Sequence, residues 1–497
     1  MSALTSQLPV LPIIMPFIAG ALTLLFPKGR PAWAWATFVS WLTFGACIAL
    51  LLEVSAEGVI SYHMGDWAPP LGIEYRIDLA NALVLALVSG VAATVLPFAY
   101  ESVKSEIDER QTPFFYAMML ICLTGLLGVT ITGDAFNVFV FLEISSLSTY
   151  ALVAMGARAD RRALTAAFNY LVMGTLGATF FVIGLGLLYQ ATGTLNMADM
   201  HAKLVGHDNR VVEAGFAFIL VGMGLKLAMF PMHVWMPGAY GYAPSAVSAF
   251  IAATATKVAV YVLIRFFYTI FGADFGFMRD AFLFVLLPLG IIGMFAASLV
   301  AVFQSDVKRM LAYSSVGQIG YMLLGISFGT KAGLTASIVH LVNHGLMKGA
   351  LFMAVACVVL RFGDHHCSTF TGLARRMPFT AAAFLISGLS LIGVPLTIGF
   401  VSKWYLLQAS FDAGFPWAAF LIVLSSLIAL LYIGRVIELM FREPGSDAPP
   451  VKEAPLSMLI PMWILVAANV YFGVRTEFTA GFAERAADAL MQAAGAR

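Results

Sequence analysis

Four lysines and one glutamate lie where a chain of this composition carries little other charge: Glu143 in FNVFVFLEISSLSTYAL, Lys226 in GLKLAMFPMHVW, Lys257 in ATATKVAVYVLIR, Lys348 in HLVNHGLMKGALF and Lys403 in GFVSKW. A charged side chain near a bilayer midplane costs roughly 2.5–3.5 kcal/mol on insertion scales, so the set costs on the order of 10 kcal/mol in all. Snorkelling explains one lysine near a helix end, not interior groups on five separate segments. Burial disfavours the charged form of an amine and of a carboxylate alike, which brings both to the point of releasing and regaining a proton near neutral pH. A Glu–Lys pair adds a switch. While close, each partner holds the other charged, and separation lets the lysine lose its proton. The chemistry these residue types suit is proton exchange through a protein interior.

Spacing supports an inward polar line. His340, His344 and Lys348 fall at i, i+4 and i+8, one face of one helix. Paired histidines at that spacing also suit a metal, but no third ligand is local and Lys348 would repel a cation, so no metal site is expected. Thr254, Lys257, Tyr261 and Arg265 share a second stripe, and the hydroxyls of Ser145, Ser146, Ser148 and Thr149 after Glu143 could hold water. Lys226 precedes Pro231 and Pro237, and Lys403 lies just after Gly393, Pro395 and Gly399. Those prolines and glycines should interrupt two helices and free backbone groups that lipid cannot satisfy. Broken helices at matching places in two halves point to ion sites at an unwound midplane.

The elements that must position these residues are membrane-spanning helices. The 497 residues are 61% hydrophobic and 11% charged, with a formal charge of +1, which leaves no basic field for nucleic acid. Apolar runs of spanning length recur at 8–26, 33–52, 79–100, 113–132, 135–155, 165–189, 213–240, 245–268, 281–303, 309–328, 334–360, 379–409, 416–437 and 455–473. The sequence therefore predicts an all-α integral membrane protein of about fourteen helices in a single domain, 1–497. Spans four to eight (113–268) are expected to repeat as nine to thirteen (281–437), with the seventh and twelfth discontinuous. A tail, 475–497, has helical amphipathic spacing and is expected on the membrane surface. The first run, with Lys28 and Arg30 behind it and no cleavage site, is expected to be a retained span. Cys47, Cys122, Cys357 and Cys367 have no paired spacing, so neither a disulfide framework nor zinc is indicated. Loops assigned alternately to two faces put fifteen basic residues, Lys28 to Lys452, on one face and nine, Arg76 to Arg497, on the other. The richer face should be cytoplasmic and both termini outside. No cluster-binding cysteines, no GxGxxG on a strand and no haem motif are present, so no cofactor is expected. Titratable groups in a row, rather than a compact pocket of varied polar residues, argue against an organic solute.

FNVFVFLE, KLAMFPMHVWMPGAYGYAPSAVSAF, QSDVKRMLAYSSVGQIGY, HLVNHGLMKGALF and GVPLTIGFVSKW together carry a resemblance that runs over nearly the whole chain. The sequence resembles the antiporter-like family shared by the large subunits of Mrp-type multisubunit sodium/proton antiporters and the proton-pumping membrane subunits of respiratory complex I. The resemblance implies fourteen helices, two inverted five-helix repeats and broken helices seven and twelve. It matches Glu143, Lys226, Lys257, His340, His344, Lys348 and Lys403 to the family's proton-transfer residues. Gly238 departs from the acidic residue that relatives often place after the WLP-type turn, here WMP, which bears on a loop contact. GDAFNVFVFLE, a lysine on helix twelve and a chain ending soon after the fourteenth span look most like the D-type branch of Mrp antiporters. That branch implies a non-enzymatic transporter subunit for H+ and Na+ in a bacterial cytoplasmic membrane, with A-, B-, C-, E-, F- and G-type partners. The other branch would make it a non-redox pump subunit of a complex I-like or membrane-bound hydrogenase assembly.

Overall fold

The computed structural model describes residues 7–205, 209–272, 275–443 and 451–495. Long apolar runs must satisfy every backbone group internally, and the chain does so with helices. In order they are α1 (Leu11–Thr23), α2 (Gly29–Glu57), α3 (Leu79–Glu106), α4 (Thr112–Ile131), α5 (Ala135–Ala154) and α6 (Arg162–Thr192). The short α7 (Met197–Leu204) precedes α8 (Arg210–Lys226) and α9 (Met236–Tyr242). Then come α10 (Ser245–Phe271), α11 (Met278–Val302), α12 (Val307–Ser327) and α13 (Lys331–Phe362). The last are α14 (Pro378–Ile392), α15 (Ile398–Asp412), α16 (Pro416–Phe441), α17 (Leu456–Val474) and α18 (Glu477–Gly495).

Among the described residues ten helices are long and apolar enough to cross a membrane by length and composition. The other four expected spans are the short α1, the polar-ended α12 and the two broken segments, α8 with α9 and α14 with α15. α10 is almost wholly buried at the centre, while α6, α11 and α16 turn much of their surface outwards. Those faces carry exposed Phe168, Phe284 and Leu431, as lipid-facing helices do. α6 and α8 approach closely through paired glycines. A Cβ on Gly184 would lie 2.6 Å from the Gly215 carbonyl oxygen, and one on Gly222 would lie 2.7 Å from that of Gly177.

Three features differ from expectation. The 53–78 loop contains an antiparallel hairpin, β1 (Ile60–His63) with β2 (Glu74–Ile77), whose strands are too short to read from alternation. The tail does not present its apolar stripe to lipid. Ala480, Ala483, Ala487 and Leu490 of α18 are buried against α3 and α13, and Lys331 at the start of α13 pairs with Glu484 at 3.4 Å and Asp488 at 2.7 Å. Arg265, counted among the nine basic loop residues of the sparser face, is no loop charge. It is buried at the end of the α-helical part of α10 and donates to both oxygens of Asp78, at 2.7 and 2.9 Å, pinning α10 to the start of α3.

The alternating loop assignment is reproduced by contacts. On one face Tyr75 bridges to Thr132, Asp134 to Asn196, and Arg485 reaches Ser55. On the other, Asp306 bridges to His366, Glu106 accepts from Ser245, and Arg158 pairs with Asp108 at 3.2 Å. Arg497, counted in the sparser set, lies outside the described residues.

Of the residues expected to break helices, Pro231 lies between α8 and α9, and Gly393 and Pro395 between α14 and α15. Pro237 does not break anything: it sits in the first turn of α9, where its missing N–H has no intrahelical partner to lose. Gly399 is also helical, in the first turn of α15. A Cβ there would lie 1.7 Å from the Ser390 carbonyl oxygen, so this glycine serves close packing of the two half-helices. Gly238 likewise falls in α9 rather than a loop, facing Ala166.

Candidate functional site

α8 ends on Lys226 because the following residues, Ala228 at a φ of 60° and Pro231, cannot continue the helix. The lysine projects to α5. Its Nζ donates to Glu143 Oε1 at 3.0 Å and to Ser146 Oγ at 2.9 Å. Glu143 and Ser146 are one turn apart, so a single face of α5 presents both. The Lys226 side chain is only 6% exposed, whereas Glu143 retains 24%, which places the carboxylate at the edge of the bundle. The break is held from its far side: Trp235 Nε1 donates to the Leu225 carbonyl at 2.9 Å, and Tyr170 stacks on the Trp235 ring at 4.1 Å.

The second break positions Lys403. α14 stops at Gly393, whose φ of 97° suits glycine, and a Cβ there would come within 2.9 Å of Lys403 Cδ. The Lys403 ammonium donates to the carbonyls of Leu391 at 3.1 Å and Ile392 at 2.7 Å, the unpaired end of α14, and to Ser426 Oγ at 2.9 Å. A cation beside a helix C-terminus is also favoured by the helix dipole. Tyr321 adds its ring face, 5.1 Å from Nζ.

Between these ends runs the polar face of α13. His340 Nδ1 lies 2.8 Å from Ser402 Oγ, one residue from Lys403, and its ring is 5.6 Å from that of Tyr321. His340 and His344 are parallel, with centroids 6.0 Å apart. His340 Nε2 and both ring nitrogens of His344 are buried without a protein partner among the described residues, as atoms served by internal water are. Lys348 Nζ donates to the Leu311 carbonyl at 2.7 Å and to Ser314 Oγ of α12. Lys257, buried in α10, donates to the Ala252 carbonyl and to Thr256 Oγ1. Its helix packs against α13, with Ala253, one turn before Lys257, lying against Gly345 and Gly349, the residues that follow His344 and Lys348.

The arrangement thus has two parts: the Glu143–Lys226 pair, and a cluster of Lys257, His340, His344, Lys348 and Lys403. No hydrogen bond or ion pair joins Lys226 to Lys257 among the described residues. The second stripe on α10 divides in use. Tyr261 donates to the Thr130 carbonyl and accepts from Arg265, so the outer half is structural. Of the hydroxyls after Glu143 only Ser146 meets Lys226; Ser145, Ser148 and Thr149 donate to carbonyls of their own helix. Tyr321, Ser314, Ser402 and Ser426 were not singled out from the sequence. Ser402 had a signal, its place beside Lys403, whereas the other three reach the cluster only by packing.

A family model described as NADH:quinone oxidoreductase/Mrp antiporter, TM, matches residues 132–429, which include every member of both parts. The chain is 39% identical to NADH-quinone oxidoreductase subunit N of Desulforudis audaxviator, covering 95% of this chain and 97% of that protein. It is 30% identical to the D-type subunit of the Na(+)/H(+) antiporter of Alkalihalophilus pseudofirmus, covering 98% and 97%. Among solved structures it is similar to a chain of the Mrp complex from Dietzia sp. DQ12-45-1b, with a TM-score of 0.91 at 28% identity and 98% of each chain covered. The two broken helices and the matched region leave one conclusion: the chain belongs to the NADH:quinone oxidoreductase/Mrp antiporter transmembrane family.

Proposed function

We propose that this chain is the proton-translocating subunit of a multisubunit sodium/proton antiporter, the D-type subunit of an Mrp assembly, in a bacterial cytoplasmic membrane with both termini outside. The observation that carries it is the Lys226–Glu143 ion pair, 3.0 Å long, at the end of a broken intramembrane helix. A proton is taken up near this pair, passes by Lys257 to the His340, His344 and Lys348 face, and reaches Lys403 before leaving on the opposite side. The unpartnered imidazole nitrogens are the points at which water carries it onward. Spans 113–268 and 281–437 act as two inverted repeats, each contributing one broken helix. Partners are the A-, B-, C-, E-, F- and G-type subunits, and the transported ions are H+ and Na+.

A second reading is favoured by the 39% identity to a quinone oxidoreductase subunit: a non-redox pump subunit of a complex I-like assembly, using the same residues. The test is sodium-dependent proton flux in everted vesicles from an antiporter-deficient strain expressing the whole native gene cluster, wild type against Lys226→Ala. The expected outcome is flux in the wild type and none in the variant, with the subunits still assembled. Absence of any sodium response, with iron–sulfur proteins co-purifying, would select the redox pump. Full flux in the variant would remove Lys226 from the path under either reading.

A further inference from the structure

A pocket of about 430 Å³ lies where the α1–α2 and α3–α4 connections meet, on the face richer in basic residues. Lys28 and Arg30 at the start of α2, Lys104 in the last turn of α3, and Arg158 after α5 supply four cations. Asp108 and Glu109 supply two acids, so the lining keeps a net positive charge of two. Arg158 is committed to Asp108 at 3.2 Å, which leaves the lysines and Arg30 for a ligand. The N-terminus of α2 opens on the same space at Gly29, and no side chain among the described residues caps it, so its first-turn N–H groups add to the positive field.

The independent sign of a ligand is Tyr116. Its side chain is wholly buried, it lines this pocket, and its hydroxyl has no hydrogen-bond partner among the described residues. A buried hydroxyl donor on a side chain that lines a cationic pocket is complementary to an anionic oxygen. We propose that this pocket binds the phosphate of an acidic phospholipid. The depth suits a headgroup: the Trp33 and Tyr100 rings pack 4.8 Å apart beside it, as aromatic residues do at the membrane interface. Acyl chains have an apolar course along the exposed Leu25 and Phe114, at the end of α1 and the start of α4, which a free phosphate would not need. Basic pockets between helices on the cytoplasmic side are a recurrent mode of acidic lipid capture. The site is separate from the proton-transfer residues and independent of the transport reading.

The experiment uses the purified, delipidated complex containing this chain, titrated with phosphatidylglycerol, phosphatidylcholine or inorganic phosphate while thermal stability is read. Phosphatidylglycerol should stabilise it saturably and the other two should not. Lys28→Gln combined with Lys104→Gln should raise the half-saturating lipid concentration about tenfold. Tyr116→Phe, which keeps the packing, should raise it a few-fold and decides the matter if the double variant does not assemble. Unchanged half-saturation in Tyr116→Phe and in an assembled double variant would overturn the site. Equal stabilisation by inorganic phosphate would overturn the lipid assignment in favour of a simple anion.

Discussion

At the scale of single residues the lysines differ in what holds them, and that difference separates their expected phenotypes. Lys226 has a carboxylate partner, whereas the ammonium of Lys403 is held by two backbone carbonyls, a hydroxyl and a ring. Glu143→Gln keeps the side-chain volume and a hydrogen bond to Lys226 but removes the charge. It should therefore abolish flux without lowering the amount of assembled complex, measured in the same vesicles with the complex quantified by blot. Ser402→Ala removes the hydroxyl 2.8 Å from His340 and touches no charge, so partial loss of flux is expected; an unchanged rate would leave His340 without need of that contact. The interior charges were legible because charge is scarce in this sequence. Apart from Ser146, their hydroxyl partners were not, since a serine in a membrane helix most often bonds its own backbone, as Ser148 does.

At the scale of elements, Pro231, Gly393 and Pro395 lie in the interruptions, but the same residue types also do other work, as Pro237 and Gly399 do inside helices. Pro395 lies in a break while Gly399 permits two half-helices to touch, and only the 1.7 Å approach to Ser390 tells them apart. Gly399→Ala should consequently destabilise the complex markedly, seen as loss of the assembled form on a sizing column at moderate temperature. Spacing alone also grouped Arg265 with Lys257, although the arginine serves helix pairing. Asp78→Ala leaves that guanidinium buried without its carboxylate, which costs about 3–5 kcal/mol when such a pair is broken. A lowered thermal midpoint with normal flux per assembled complex is the expected pattern. A flux defect at normal stability would instead place Arg265 in transport.

For the whole molecule, the helix order and face alternation followed from apolar run length, because a membrane admits few other solutions. The docking of α18 did not, since an amphipathic helix reads the same whether its apolar side meets lipid or protein. Its buried side is mostly alanine, which allows close approach to α3 and α13. Ala487→Arg should release the tail, read as faster protease removal of the C-terminus. Lys331→Ala should leave it docked, because its ion pairs with Glu484 and Asp488 are exposed to solvent.

The bonds from Lys403 to the end of α14 tie proton occupancy to the shape of the break. An ammonium has three donors and a neutral amine two, so losing the proton leaves fewer donors for the Leu391 and Ile392 carbonyls and Ser426. The relation is reciprocal: anything that displaces the end of α14 changes proton affinity at Lys403 by the same factor with which protonation resists that displacement. With Lys403 as the proposed proton carrier, a neighbouring subunit pressing on residues 393–397 would load or unload the lysine without touching it. The broken helix would act as a transducer between mechanical displacement and acidity.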